Sequence, residues 1–185
     1  GVVFIGGVGF LWNGFFDLYG DYLTVAKGVD PATGRLLLSL MFAAGVPAFL
    51  VAGRLGERFP NVPLVVTFVV GFVVSVVALT TVGGLVAIAV VSLVASFCFY
   101  AITPILDTYL LSSLPDEHRG SAYAIYSSAM MIVTALGSAV VGGAVSSGFA
   151  YAQTFQTIAV VVGATAAVMF VLDRLGRLPS GGSVR

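Results

Sequence analysis

Three polar side chains stand in a long apolar run near the start of the chain: Asn13, Asp17 and Asp21. Their i, i+4, i+8 spacing puts all three on one face of a helix. A charge within a membrane segment costs about 2.5–3.5 kcal/mol on insertion scales, so intramembrane acids are functional candidates. An acid in an apolar wall is suited to holding a proton or the cationic group of a small molecule. Asp21 leaves the bilayer first if the helix begins upstream of Gly1. Trp12, Phe16 and Tyr19 form a neighbouring aromatic stripe. Such rings either pack against helices and lipid or make a wall for an amphipathic ligand.

The second intramembrane acid is Asp107, just after Pro104. The proline removes a backbone donor and frees the carbonyl of Tyr100. Asp107 is expected to latch to Arg54, Arg58 or Arg119, with substrate contact as the alternative. Tyr109, Tyr123 and Tyr126 fit anchoring at a membrane interface.

A third group is the stretch Gly53-Arg54-Leu55-Gly56-Glu57-Arg58-Phe59-Pro60, which holds two of only eight Lys and Arg. Its glycines allow close backbone approach, and its charges can pair with one another and with helix ends. That suits a loop which locks neighbouring helices in one of two positions.

The elements that position these groups are membrane spans. Hydrophobic residues are 59% and charged residues 9% of the chain, against about 25% charge in soluble domains. Mean hydropathy is +1.09. Six apolar stretches, each near the ~20 residues a spanning helix needs, fall at about 2–25, 35–52, 62–81, 84–112, 119–147 and 151–173. Barrel strands would be about 10 residues long and would alternate in polarity; these runs do neither. The sequence therefore predicts an all-α membrane domain over residues 1–173 and a polar tail over 174–185. It starts without Met, directly in apolar sequence, as a piece cut from a longer protein does.

Lys and Arg are biased to one side. Arg54, Arg58, Arg119, Arg174, Arg177 and Arg185 oppose Lys27 and Arg35. The positive-inside rule then puts the C-terminus and both arginine-bearing loops in the cytoplasm.

Several classes of function are disfavoured. Net charge is zero with no basic tract, so nucleic acid is not an expected partner. Cys98 is the single cysteine, which leaves no disulfide within the chain and no suggestion of a metal cluster. No phosphate-binding Gly-rich loop ending in Lys-Ser or Lys-Thr is present, so no nucleotide or other cofactor is expected. An intramembrane serine protease needs an embedded base, yet the single histidine, His118, falls in a loop. Paired-aspartate chemistry needs carboxylates that meet, and Asp17 and Asp107 fall at different depths.

Two loops resemble the major facilitator superfamily. That family carries Gly-x-Leu-x-Asp-Arg-x-Gly-Arg-Arg between the second and third helices of a half. Here Gly53, Leu55 and Arg58 match, Glu57 replaces Asp, and Pro60 and Asn61 depart from the later Gly and Arg. The run Leu114-Pro115-Asp116-Glu117-His118-Arg119-Gly120 resembles the Pro-x-x-x-Arg-Gly loop before the fifth helix of a half. The resemblance implies the C-terminal six-helix half of a secondary transporter, built as two inverted three-helix repeats. It implies alternating access, a small-molecule substrate with possible proton coupling, a plasma-membrane location, and an N-terminal half or a second copy as partner. On this reading Trp12, Asn13, Asp17 and Asp107 contact substrate or protons. Gly53, Arg54, Leu55, Glu57, Arg58, Arg119 and Gly120 gate. A non-transporting scaffold or sensor with the same fold, or a homodimerising six-helix protein, are the alternatives.

Overall fold

The computed structural model describes residues 2–112 and 119–175. Among the described residues, seven helices follow one another: α1 (Val2–Lys27), α2 (Pro31–Ala43), α3 (Gly45–Gly56), α4 (Asn61–Thr81), α5 (Leu85–Ser112), α6 (Arg119–Ser146) and α7 (Tyr151–Arg174). Helices α2 and α3 form one span, Pro31–Gly56, so the seven helices make six membrane segments. Among the described residues, five of these are long and apolar enough to cross on hydropathy alone; α1 (26 residues) has the length.

The second span corrects the sequence reading, which placed it at 35–52. It starts earlier because Asp30 caps α2, accepting from the amides of Ala32 (3.0 Å) and Thr33 (3.1 Å) with Pro31 at the first turn. It ends later because Gly53–Gly56 are helical, so the motif stretch is only partly loop. The span stays helical through Ala44 (φ −63°, ψ −18°), whose amide donates to the Leu40 carbonyl at 2.9 Å; the local irregularity there comes from Pro47, which has no N–H to give the Ala43 carbonyl. The turn into α5 uses Gly84 at φ +84°, a conformation that only glycine adopts freely.

The packing repeats itself. α1 lies along α6, and α5 lies along α3; α4 and α7 lie against each other behind α5 and α1. Exchanging the first three spans for the last three maps the α1–α6 pair onto the α5–α3 pair and the α4–α7 pair onto itself. Side-chain burial keeps the same register. In α1, Phe15, Phe16, Tyr19, Tyr22 and Leu23 are buried; in α5, so are Cys98, Phe99, Ile102, Ile105 and Leu106, at a constant offset of 83 residues (Phe15 to Cys98). In α4, Val65, Val69, Phe72, Val76 and Leu79 match Phe155, Ala159, Val162, Ala166 and Met169 of α7 at an offset of 90 (Val65 to Phe155). This is a six-helix unit of two inverted three-helix repeats.

Glycines set the tightest crossings. A Cβ on Gly14 would overlap Val141 and sit 3.3 Å from the Gly137 carbonyl of α6. A Cβ on Gly45 would sit 3.0–3.2 Å from the Tyr100 ring of α5. Cys98 packs as a small apolar residue over Gly71. Among the described residues, hydroxyls mostly satisfy themselves on their own helix, as Thr67 does on the Pro63 carbonyl (2.8 Å) and Ser75 on Gly71 (2.7 Å), which spares a polar group in an apolar medium.

Candidate functional site

Helix α1 carries the first candidate group, and its wheel explains which residues are open. At 100° per residue, Phe16 marks the edge facing α2 and Gly14 the edge facing α6. Asn13, Asp17, Gly20 and Thr24 fall between them, opposite the buried Phe15, Tyr19 and Tyr22. Asp17 and Asp21 are exposed accordingly. Asn13 is half-buried and donates from Nδ2 to the Thr134 carbonyl of α6 at 3.1 Å. The α1 stripe therefore opens between the two middle helices of the repeats. The side chain of Trp12 lies outside the described residues.

The aromatic stripe beside these acids divides. Tyr19 is fully buried and its hydroxyl donates to Ser92 Oγ of α5 at 2.6 Å, so it holds the core rather than a ligand. Phe16 is buried too, but its ring lies 5.2 Å from that of Phe42, which is 52% exposed.

Asp107 sits about four turns beyond Ser92 on α5, about 22 Å along the helix. Since Tyr19 reaches Ser92, Asp17 and Asp107 occupy different depths. Asp107 is half-buried, and the Tyr123 hydroxyl of α6 donates to its carboxylate, with Tyr126 close by. The two tyrosine rings are 5.9 Å apart. Sequence reasoning placed these tyrosines at an interface. Their link to Asp107 spans two helices and has no signal in local spacing.

The loop candidates gather at one end of the bundle. Arg54 lies in the last turn of α3, where a cation faces the negative end of the helix dipole. The backbone then turns, with the amides of Arg58 (3.0 Å) and Phe59 (2.9 Å) both donating to the Leu55 carbonyl. Gly53, Arg54, Glu57 and Arg58 are exposed; Leu55 is half-buried. Arg119 and Gly120 open α6, while residues 114–118, including His118, lie outside the described part, as does the tail from 176.

Two further groups emerge only from the structure. Lys27 donates to the carbonyls of Thr80 (3.2 Å) and Val82 (2.7 Å) and lies over the Tyr22 ring, tying the end of α1 to the end of α4. Tyr100 joins Phe42 and Phe49 at the α2–α3 junction, with ring centroids 6.5 Å and 6.1 Å away. Among the described residues, no group of His, Cys, Asp and Glu could hold a metal ion.

The family model of the Major Facilitator Superfamily matches residues 3–183. No curated protein matches the chain. Among solved structures, a mutant of the peptide transporter POT bound to alafosfalin superposes with a TM-score of 0.82 at 17% identity, over 97% of this chain and 39% of that one. The proton:xylose symporter XylE bound to 6-bromo-6-deoxy-D-glucose gives 0.62 at 15% identity, over 97% of this chain and 44% of that one. The chain thus spans about two fifths of the length of these transporters, which share its fold. With the six spans, the inverted repeat and the match over nearly its whole length, this multi-pass membrane chain belongs to the Major Facilitator Superfamily.

Proposed function

We propose that this six-helix unit is the C-terminal half of a secondary transporter that moves a small molecule by alternating access, with Asp17 as its site for a proton or a cationic group. The observation that carries the reading is the exposure of Asp17 on α1 while the opposite face of that helix is fully packed. An acid inside a membrane span marks a functional position by default, and Asp17 faces the open side of α1. The open stripe lies between α2 and α6, on the side of the bundle away from α4 and α7. An N-terminal half, or a second copy, would close the cavity over it, and lipid would cover the rest.

Asp107 serves a different step in this reading. Its link to Tyr123 joins α5 to α6 at the arginine-bearing end, where an inner gate would close. The orientation follows from the lysine and arginine bias, which puts the C-terminus and the Arg54 end in the cytoplasm of a cell with this protein in its plasma membrane.

The test uses the native full-length protein in proteoliposomes with an imposed pH gradient and a panel of radiolabelled solutes that includes dipeptides and pentoses. Gradient-dependent accumulation of a solute is expected. Asp17→Asn should cut it at least 100-fold, with the purified variant keeping its melting temperature. Unchanged accumulation and unchanged pH dependence in Asp17→Asn would remove Asp17 from the mechanism. No accumulation of any solute would count against transport itself.

A further inference from the structure

Helix α4 ends among donors that belong to other helices. The last carbonyls of a helix have no partner on their own element, and in an apolar medium each costs several kcal/mol if left bare. At the end of α4 they are met from α1. The Tyr22 hydroxyl donates to the Leu79 carbonyl at 3.0 Å. The Lys27 ammonium donates to the carbonyls of Thr80 (3.2 Å) and Val82 (2.7 Å).

Helix α7 closes the third side. Gln156 donates from Nε2 to Thr80 Oγ1 at 2.9 Å. Thr80 is thus held by α1 through its carbonyl and by α7 through its hydroxyl. Tyr22 is buried where the three helices meet. Its ring centroid lies 5.2 Å from that of Phe155 and 6.2 Å from that of Tyr151, both on α7, and the Lys27 ammonium lies 5.8 Å from it.

The equivalent positions at the other end of the bundle supply no donor. The repeat register carries Tyr22 onto Ile105 and Lys27 onto Leu110 in α5, and Gln156 of α7 onto Val66 of α4. All three of these residues are apolar. The polar tie is therefore built into one end of the unit and left out of the other.

Resting on the transport reading above, we propose that Tyr22, Lys27 and Gln156 form a clasp that keeps the joined ends of α1, α4 and α7 one body throughout the cycle. Parting α1 from α4 there would strip three carbonyls at once, a cost that nothing at the apolar equivalents reproduces. The Lys27 end then opens only by movement of the whole unit. Local bending of helices is left to the arginine-bearing end, where the Asp107–Tyr123 link joins α5 to α6 instead.

The first arm of the test is hydrogen exchange on the native full-length protein in nanodiscs. The last turns of α1 and α4 and the second turn of α7 should exchange slowly and as one cooperative unit. Tyr22→Phe keeps the ring and should speed exchange in all three about tenfold, as the loss of one buried bond does. The last turn of α6 should not respond. Lys27→Met should act like Tyr22→Phe on α1 and α4, and Lys27→Arg should restore protection. Acceleration confined to α4 would overturn the clasp, as would wild-type ends that exchange as fast as the exposed turn at Ser147-Gly148.

The second arm joins Lys27→Cys to Val82→Cys with a bis-methanethiosulfonate linker about as long as the lysine side chain. A permanent tie should leave uptake into proteoliposomes as it is in the unlinked protein. Loss of uptake on linking would show that α1 leaves α4 during the cycle and would overturn the proposal. Should the wild type take up no solute, the transport reading falls, and the proposal of a clasp held through a transport cycle falls with it; slow cooperative exchange would then show only a static tie.

Discussion

The two three-helix repeats bury the same positions and arm the opposite face differently. At the first pair of equivalent positions α1 has Asp17 and α5 has Tyr100; at the second α1 has Thr24 and α5 has Asp107. Thr24 turns back to its own helix, donating to Gly20 at 3.0 Å, whereas Asp107 takes a hydrogen bond from Tyr123 of the next helix. The acid therefore sits near the middle of the face in one repeat and toward its end in the other. Packing sets which positions are interchangeable. The polar groups at those positions break the symmetry, and on the proposed transport reading the asymmetric pair of acids separates a binding step from a gating step.

The strongest way to break the comparison is at the crossings that hold each repeat to the other. Gly14 lets α1 approach α6 where Gly142 of α6 has nothing within 4 Å of its Cβ position. Gly14→Leu should therefore push the two helices apart and destabilise by about 1–3 kcal/mol or more, as overpacking does. Gly142→Leu should stay within about 0.5 kcal/mol, as for open positions. Thermal melting of the two purified variants measures the gap. Equal losses would mean that the α1–α6 crossing is not set by Gly14.

The number and order of the spans were legible because apolar length is a local signal, but both ends of the second span were not, because the Asp30 cap and the helical Gly53–Gly56 extend it. The register of the repeats was not legible. Phe15 and Cys98 share no chemistry, and only burial equates them. For the same reason Tyr100 was hidden among other aromatics, and Lys27 looked like a loop charge although it caps α4 through two carbonyls. Asp17 and Asp107 stood out because charge in an apolar run needs no partner to be noticed, whereas Tyr123 became meaningful only once α6 was laid beside α5.

A middle-sized test sharpens the difference within the core. At Tyr19 the first repeat has a hydroxyl bonded to Ser92; at the equivalent position the second has Ile102, fully buried with no polar atom. Tyr19→Phe leaves the Ser92 hydroxyl unpaired in the core and should cost about 1–3 kcal/mol. Adding Ser92→Ala should recover most of that loss, since removing both partners is far cheaper than removing one. Additive losses in the double variant would show that the two hydroxyls do not share a bond.

The smallest expected effect concerns the α5–α6 link, where the second repeat has a bridge that Thr24 does not make in the first. Tyr123→Phe removes the donor and leaves a half-buried carboxylate with one fewer hydrogen bond, at a cost of about 1 kcal/mol. Asp107→Asn keeps an acceptor for the tyrosine and removes the charge, so its melting temperature should fall less. A latch that works by hydrogen bonding alone would then let Asp107→Asn keep transport while Tyr123→Phe lowers it. A latch that needs the charge would give the reverse. Melting and uptake measured on the same two proteins separate these cases, because the packing contribution of the Tyr123 ring is identical in both.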